Sequence, residues 1–334
     1  MKESLDAILD GRRFTADEAD ALISGLTSGE LDPVVVGAVL VALRSRGETP
    51  EEVRGFANGM RRLALRPDLD ADDACDVVGT GGDNSGSLNL STASALLAAA
   101  AGVPIVKHGN RSMSSQSGSA DVLEAIGLKI PLDEQEAGEM FRRIGFTFLF
   151  APYYHPAMGA VVPIRKSLGV RTIFNMLGPL TNPGRPGYAL IGAWSLEAAR
   201  LMADSLRSTE MKRVFVCHGS NGWDEPTPVG TFHRFEVESG SVTETILDPA
   251  DFGFERCSPD DLLGGTPEDN AASIIAVFSG VSGPHAEAVV LGAALAIEVS
   301  GRAPNIVAGA EQARSALADG RALHLVESIG ASVG

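Results

Sequence analysis

Two glycine- and hydroxyl-rich loops, each entered from a short apolar run and left through a helix-forming stretch, most constrain how this 334-residue chain folds. The first, Gly79-Thr-Gly-Gly-Asp83, runs on through Asn89-Leu-Ser-Thr92. The second is Lys107-His-Gly-Asn-Arg-Ser-Met-Ser-Ser-Gln-Ser-Gly118. A strand feeding a glycine loop that opens a helix is a β–α unit, and two in succession predict a parallel or mixed sheet with helices packed on it. Such loops offer backbone N–H groups and hydroxyls to anionic oxygens, and the second adds Lys107 and Arg111 as fixed positive charge. Seven of the eight residues from Ser112 to Ser119 are Ser, Gln or Gly, a stretch costly to order unless something binds to it.

Charge makes this clustering informative. With 27 basic and 43 acidic residues the net charge is −16, which argues against a general nucleic-acid or membrane surface, so anion recognition must be local. Cys75, Cys217 and Cys257 are far apart and odd in number, which predicts reduced thiols and a cytoplasmic setting. Met1 to Arg13 alternates charged and apolar residues, so no leader segment is expected. The uncharged window Asn84 to Val106 begins with Asn, Ser and Gly and is broken by Gly102 and Pro104, so it predicts a buried helix and strand rather than a membrane span.

The first seventy residues read as helical. Thr15-Ala-Asp-Glu18 is a capping box opening a helix to about Leu26. Asp32-Pro33 opens Val34 to Arg46, stopped by Gly47, and Thr49-Pro50-Glu51-Glu52 opens a third helix to about Leu65. The second of these is apolar nearly all round, which points to a central helix or one covered by another subunit. Beyond the polar link Pro67 to Asp73, strands are predicted at Asp76 to Val78, Val103 to Val106 and Phe146 to Phe150. Helices are predicted at Ser91 to Ala101, Ser119 to Ile126 and Glu134 to Ile144. The Pro/Gly-rich stretch Leu177 to Gly187 separates two parts of the chain. After it come strand Tyr188 to Ala193, helix Leu196 to Leu206, strand Arg213 to Cys217 and a hairpin of Phe232 to Glu238 with Val242 to Leu247. Helices Pro267 to Phe278, Pro284 to Val299 and Ala308 to Ala318 close the reading.

Familiar nucleotide motifs are excluded. Gly81 and Gly86 have P-loop spacing, but Ser87 and Leu88 follow where Lys and Ser/Thr belong, and Asn84 stands at the third glycine position of the dinucleotide fingerprint. Adjacent Asp224 and Glu225, just past the apolar run ending at Cys217, suit octahedral Mg²⁺ held by one or two carboxylates plus water and phosphate, or else a solvated acid pair. The six histidines lack ligand spacing, so zinc has little support, and no nucleophilic triad is legible.

At this point the chain closely resembles the anthranilate phosphoribosyltransferase family. The likeness is carried by Asp76-Val-Val-Gly-Thr-Gly-Gly-Asp83, Asn89-Leu-Ser-Thr92 and Val106-Lys-His-Gly-Asn-Arg111. It continues in Ser114 to Ala125, Phe150 to Met158, Arg165, Arg171 to Pro183 and Gly264-Gly-Thr-Pro-Glu-Asp-Asn-Ala271, spanning nearly the whole chain in order. The resemblance implies an α/β fold of nucleoside phosphorylase/phosphoribosyltransferase type: a small all-helical domain plus a larger α/β domain with a central mixed sheet flanked by helices. The small domain would comprise 1–70 plus about 160–185, serving dimerisation and the anthranilate side of a cleft. The α/β domain would comprise 71–159 plus 186–334 and bind 5-phosphoribosyl diphosphate (PRPP) and Mg²⁺. The implied activity transfers the phosphoribosyl group of PRPP to the amino nitrogen of anthranilate, releasing pyrophosphate, in tryptophan biosynthesis.

The resemblance also implies the site. Gly79, Gly82, Asp83, Ser87, Asn89, Leu90, Ser91 and Thr92 would contact PRPP, as would Lys107, His108, Gly109, Asn110, Arg111, Ser112, Met113, Ser114, Ser115 and Ser119. Ser91, Asp224 and Glu225 would ligate Mg²⁺. Gly79, Asn110 and Arg165 would hold anthranilate, Arg165 pairing with its carboxylate, and His108 and His155 would border the acceptor's approach. No single acid or base is expected: an aromatic amine is a neutral nucleophile at pH 7, and positioning plus the metal supply the rate. Four positions depart from the family pattern: Trp223, the Pro226-Thr-Pro228 run after the acid pair, Ala189, and Gly292 where Asn is frequent. Two other readings use the same residues: a pyrimidine nucleoside phosphorylase-like enzyme, and a non-catalytic or altered-acceptor paralogue that binds a phosphorylated ligand. Asp83, Ser91, Asp224 and Glu225 argue against a mere binder.

Overall fold

The computed structural model describes residues 1–83, 85–112 and 116–330. Four helices come first: α1 (Lys2–Leu9), α2 (Ala16–Leu26), α3 (Pro33–Arg46) and α4 (Pro50–Leu63). Thr15 and Thr49 cap α2 and α4 in reciprocal capping boxes with Glu18 and Glu52, and Asp32 caps α3 through Val34 N–H at 2.8 Å. Glu52 does more than cap. It is fully buried, accepts from Phe14 N–H at 2.9 Å and pairs with Arg46 at 2.5 Å, tying the entrance of α2 to the end of α3.

Strand–helix alternation begins at β1 (Cys75–Gly79), followed by α5 (Leu90–Ala100), β2 (Ile105–Gly109), α6 (Ser119–Ile126), α7 (Glu134–Ile144) and β3 (Phe146–Phe150). The chain then makes three short helices, α8 (Ala151–Tyr154), α9 (Val162–Leu168) and α10 (Phe174–Leu180), the last two packing against α3 and α4. It returns through β4 (Tyr188–Gly192), α11 (Leu196–Leu206) and β5 (Arg213–His218) to the hairpin β6 (Phe232–Glu238) and β7 (Ser241–Leu247). Helices α12 (Pro267–Phe278), α13 (Pro284–Val299), α14 (Ile306–Ala318) and α15 (Arg321–Gly330) complete the described chain. The expected mixed sheet is present, in the order β3-β2-β1-β4-β5-β6-β7, parallel from β3 to β5 and antiparallel beyond.

Alternate residues of the sheet enter two different cores. Leu190, Phe215 and Cys217 face a cluster with α5, α6 and α12–α15, whose central member α13 is buried along nearly its whole length. Ala189, Ile191, Val214, Val216, Phe235 and Val237 face the other way, onto α11, and share one apolar cluster with α2, α3, α4 and α10. The N-terminal helices therefore have no core separate from the sheet; α11 packed on α4 makes it continuous. Chain order reverses between β1 and β4, so a crevice is expected beyond the carboxyl ends of these strands. Both ends there are glycines, Gly79 and Gly192. No described helix is long and apolar enough to cross a membrane.

Candidate active site

The acid pair lies at that crevice. The stretch after β5 doubles back, with Gly219 N–H donating to Trp223 O at 2.9 Å, and lays Asp224 across the ends of β1 and β4. A Cβ on Gly192 would overlap the Asp224 carbonyl, and one on Gly79 would lie 2.5 Å from Asp224 Oδ2, so both glycines are needed for the approach. Asp224 Oδ2 accepts from Gly81 N–H at 2.6 Å and from the Thr80 hydroxyl at 3.3 Å. Glu225 Oε1 accepts from Ser91 N–H at 2.8 Å, at the first turn of α5. Asp83, in the same loop, accepts from Asp224 N–H at 3.3 Å and from Ser85 N–H at 3.1 Å.

Asp224 and the adjacent Glu225 are thus drawn in at the first loop, with Asp83 close to Asp224. Burial pushes the Asp224 carboxyl up, with the Asp83 charge adding to it; burial raises Glu225 well above the usual range, and Asp224 and Asp83 add further. Such a cluster is stabilised by positive charge. Lys107 supplies one: it is 1 % exposed, donates through Nζ to Val77 O, and feels Asp76, Glu225 and Asp224. Burial pulls its ammonium below the usual lysine range against those three charges. A divalent cation would suit the rest. Among the described residues no three carboxylate, imidazole or thiolate groups surround one point. The acids therefore fit an ion that keeps waters and ligand oxygens, not an all-protein cage.

The two glycine loops are tied to each other. Asn89 Nδ2 donates to Ser117 O at 3.0 Å, and Asn89 Oδ1 accepts from the Ser117 hydroxyl at 2.9 Å and from Asn270 Nδ2 at 2.8 Å. Ser87 bridges to Leu263, which pins the outer part of the first loop to the segment before α12. Leu90 and Thr92 are buried at the start of α5, where Thr92 Oγ1 has no partner. In the second loop Asp121 Oδ2 accepts from Ser112 N–H at 3.0 Å and Gly118 N–H at 2.9 Å, pinching its base, and Ser119 donates to Asn110 O at 3.2 Å. A Cβ on Gly109 would overlap the Ser119 hydroxyl, so the loop's entrance and exit touch. The expected contacts Met113, Ser114 and Ser115 lie outside the described residues.

Arg111 does not point where a free cation would. Its guanidinium pairs with Asp121 at 3.0 Å and with Glu124, and stacks on Phe150 at 5.6 Å. Charge in the loop therefore comes from its backbone N–H groups and Lys107 more than from Arg111. A cation missed in the sequence reading is Arg171, which stands over Trp194 at 4.9 Å and donates to Gly82 O. Its signal was only its place in the quoted Arg171 to Pro183 motif.

Across from the loops stands a different kind of wall. Arg165, on α9, lies over Phe174 at 5.5 Å with no carboxylate paired to it among the described residues, and burial draws its guanidinium below the usual range. His108 Nδ1 lies 3.2 Å from Gly178 O, one turn along α10 from the Phe174 on which Arg165 stacks. The His108 and His155 rings are edge to face at 5.1 Å. Both are buried; among the described residues His108 Nε2 has no hydrogen-bond partner, and the His155 ring has only the Thr181 backbone to bond to. Burial holds them neutral: His108 is pushed down to about 3, with His155 adding to the effect, and His155 to about 4.

Of the departures, Gly292 has a local explanation. A Cβ there would overlap Ser94 Oγ, which donates to Val289 O at 3.2 Å, so the serine on α5 already fills the space a larger residue on α13 would take. Pro226 lines a cavity of about 30 Å³ with Ser94, Ala288 and Gly292 behind the acid pair.

Comparison with known proteins accords with this geometry. Residues 2–64 match the helical bundle domain of a glycosyl transferase family, and residues 71–323 match its a/b domain. The anthranilate phosphoribosyltransferase of Pelotomaculum thermopropionicum is 40 % identical over 97 % of this chain and 94 % of its own length. That of Chloroherpeton thalassium is 42 % identical over 98 % and 97 %. The crystal structure of the Thermus thermophilus enzyme superposes with a TM-score of 0.92 at 40 % identity, covering 98 % of each chain. The Saccharomyces cerevisiae enzyme in complex with PRPP and Mg superposes at 0.85 with 27 % identity, covering 95 % of this chain and 92 % of that one.

Proposed function

The chain belongs to the anthranilate phosphoribosyltransferases, and from that premise we propose how its own residues divide the work. The reaction transfers the phosphoribosyl group of PRPP to the amino group of anthranilate in tryptophan biosynthesis, so the chain is a glycosyltransferase. The bond from ribose C1 to the pyrophosphate oxygen breaks, a bond from C1 to the amine nitrogen forms, and the nitrogen then loses a proton.

In this reading the diphosphate and ribose lie in the first loop, Gly79 to Thr92, and the second, Lys107 to Ser119. Backbone N–H groups and the α5 N-terminus meet the phosphate oxygens. Ser91, Asp224 and Glu225 hold Mg²⁺, whose chemistry is to neutralise charge building on the departing pyrophosphate. The donor set fits: raised carboxylates that lack an ion-pair partner, beside a loop that binds anions. Arg165 takes the anthranilate carboxylate as a two-pronged donor, with Gly79 and Asn110 on the other side of the ring. His108 and His155 stay neutral and border the acceptor, excluding water without competing for its amine proton. No residue need act as a strong base.

The observation that carries the assignment is the pull of adjacent carboxylates onto the two ends of the first loop, Asp224 on Gly81 N–H and Glu225 on Ser91 N–H. The direct test is loss of anthranilate fluorescence on adding PRPP and Mg²⁺. Absence of turnover across a panel of aminobenzoates, despite PRPP binding, overturns it in favour of a binding protein.

We also read the helical segments 1–70 and about 160–185 as one body that carries the acceptor side and dimerises. Support comes from α3, where Val34 is 78 % and Val41 43 % exposed on a helix apolar nearly all round, with Val162 and Val170 exposed beside it. Unpaired, buried thiols at Cys75 and Cys217 agree with a cytoplasmic enzyme.

A further inference from the structure

The two sides of β1 are joined differently. On its β4 side the ladder runs from Cys75↔Tyr188 to Gly79↔Gly192. On its β2 side only Cys75↔Ile105 is paired, with Cys75 N–H donating to Pro104 O at 2.8 Å. Continued in that register, a parallel ladder would next join Val77 N–H to Val106 O and His108 N–H to Val77 O. Side chains take these groups instead. Asn182 Nδ2 donates to Val106 O at 2.8 Å, Asp76 Oδ1 accepts from His108 N–H at 3.2 Å, and Lys107 Nζ donates to Val77 O. Asn182 Nδ2 also donates to Asp76 Oδ2 at 2.8 Å, so the three side chains form one connected, buried network.

We propose that Asp76 and Asn182 are positioning residues that, with Lys107, wedge the sheet open between β1 and β2 and so set the distance between the two anion-binding loops. The inference rests on the reading of those loops as the PRPP site. Laddered neighbours run about 4.8 Å apart, and loops leaving them would emerge side by side. A diphosphate with its hydrated metal needs more room than that. Opening a sheet exposes ladder groups that are costly to leave unmade, and here Val106 O, His108 N–H and Val77 O each receive a substitute partner. Asp76 has a second task. Its charge accompanies the buried Lys107 ammonium, which would otherwise stand at the floor of the gap with only the acid pair for company.

Asn182 reaches this gap from the linker between α10 and β4. The linker is fixed there by Gly184 N–H donating to Asn182 Oδ1 at 2.9 Å. Only glycine fits at 184, because a Cβ would lie 2.7 Å from Val106 Cγ1. The network therefore also binds the segment that returns from the acceptor wall to the strands that carry the loops.

The test uses full-length Asn182→Ala and Asp76→Asn. Steady-state constants for each substrate are measured at saturating Mg²⁺, PRPP affinity by calorimetry, Tm, and amide exchange by mass spectrometry. Each variant is expected to raise the KM and Kd for PRPP roughly 10-fold or more, the effect of leaving a buried group unpaired. The KM for anthranilate is expected to move several-fold less. Exchange should quicken in 106–112 and 77–83 and stay unchanged in β5. Unchanged PRPP affinity in folded variants overturns the proposal, as does an equal rise in both KM values or exchange that quickens across the whole sheet. Asp76→Asn keeps the side chain's shape and its acceptor for His108 N–H, so it carries the test if Asn182→Ala does not fold. Calorimetry separates this outcome from the functional reading, which fails only if the wild-type protein itself does not turn over.

Discussion

The glycine loops and the region of Arg165, His108 and His155, proposed above as the acceptor wall, are built on opposite rules. In the described part of the loops many polar groups are already engaged: Asp121 holds Ser112 and Gly118, Asn89 holds Ser117, Asp224 holds Gly81, and Arg111 is taken up by Asp121 and Glu124. In the other region, among the described residues, Arg165 has no carboxylate and His108 Nε2 is buried without a hydrogen-bond partner. The first arrangement is preorganised, so binding a polyanion there costs little further ordering. The second leaves groups whose partners must come from a ligand, which favours specificity: a molecule lacking the right polar atom leaves them unpaired.

The largest effect that separates the walls is expected from the acids. Asp224→Asn and Glu225→Gln each remove charge where the leaving group's charge builds, and kcat/KM for PRPP should fall about 10²–10³-fold. Steady-state kinetics across a Mg²⁺ series check this. If raising PRPP alone restores full kcat, the acids serve binding only and the division of labour is wrong.

Next comes Arg165→Ala. Loss of a two-pronged, charge-assisted contact should raise the KM for anthranilate roughly 10- to 100-fold, with the KM for PRPP unchanged. Arg165→Lys should recover only part of this, since an ammonium cannot reproduce the fork. A variant that loses PRPP affinity instead would place Arg165 on the other wall.

A smaller effect is expected behind the loops. Gly292→Ala forces a Cβ onto Ser94 Oγ and should destabilise the protein by about 1–3 kcal/mol, the usual cost of overpacking. Thermal or urea unfolding measures it, and Ser94→Ala in the same chain should restore most of the loss. Rescue would show that the α5–α13 contact is a packing pair; its failure would show that Ser94 matters through its hydrogen bond to Val289 O.

The same contrast governs what could be read in the sequence. Local signals were legible: the capping residues Thr15, Asp32 and Thr49 mark helix starts, and the expected helices Ser119 to Ile126, Glu134 to Ile144, Leu196 to Leu206 and Pro284 to Val299 have the observed bounds. The glycine loops were legible because close backbone approach requires glycine. Helices α8 to α10 were not, being only four to seven residues long, with Pro179 inside α10, and α9 and α10 fixed by their packing on α3 and α4. Nor was the end of the β1–β2 ladder, because it depends on residues 76, 107 and 182, which are distant in the chain. The strand expected at Val103 to Val106 runs instead from Ile105 to Gly109, since its apolar pattern continues through a buried lysine and histidine that sequence patterns treat as loop. The partners of Arg111 were hidden for a similar reason: Asp121 and Glu124, on the following helix, pair with it.

The smallest expected effect is an absence, and it sharpens the contrast most. An unperturbed histidine titrates near 6.5, but burial pushes His108 down to about 3 and His155 to about 4. Neither should gain charge in the folded enzyme between pH 5 and 8, so these two residues should put no break into the KM for anthranilate across that range. Stability should not. Below about pH 6.5 the unfolded chain takes up protons that the folded imidazoles refuse, so these two residues lower stability progressively as pH falls towards 4. Replacing His155 with Asn should flatten that part of the Tm–pH curve while leaving the anthranilate profile unchanged. An anthranilate KM that breaks near pH 6.5 in the wild type, and loses the break in the variant, would mean that the acceptor wall is wet and its histidines are exposed to solvent protons.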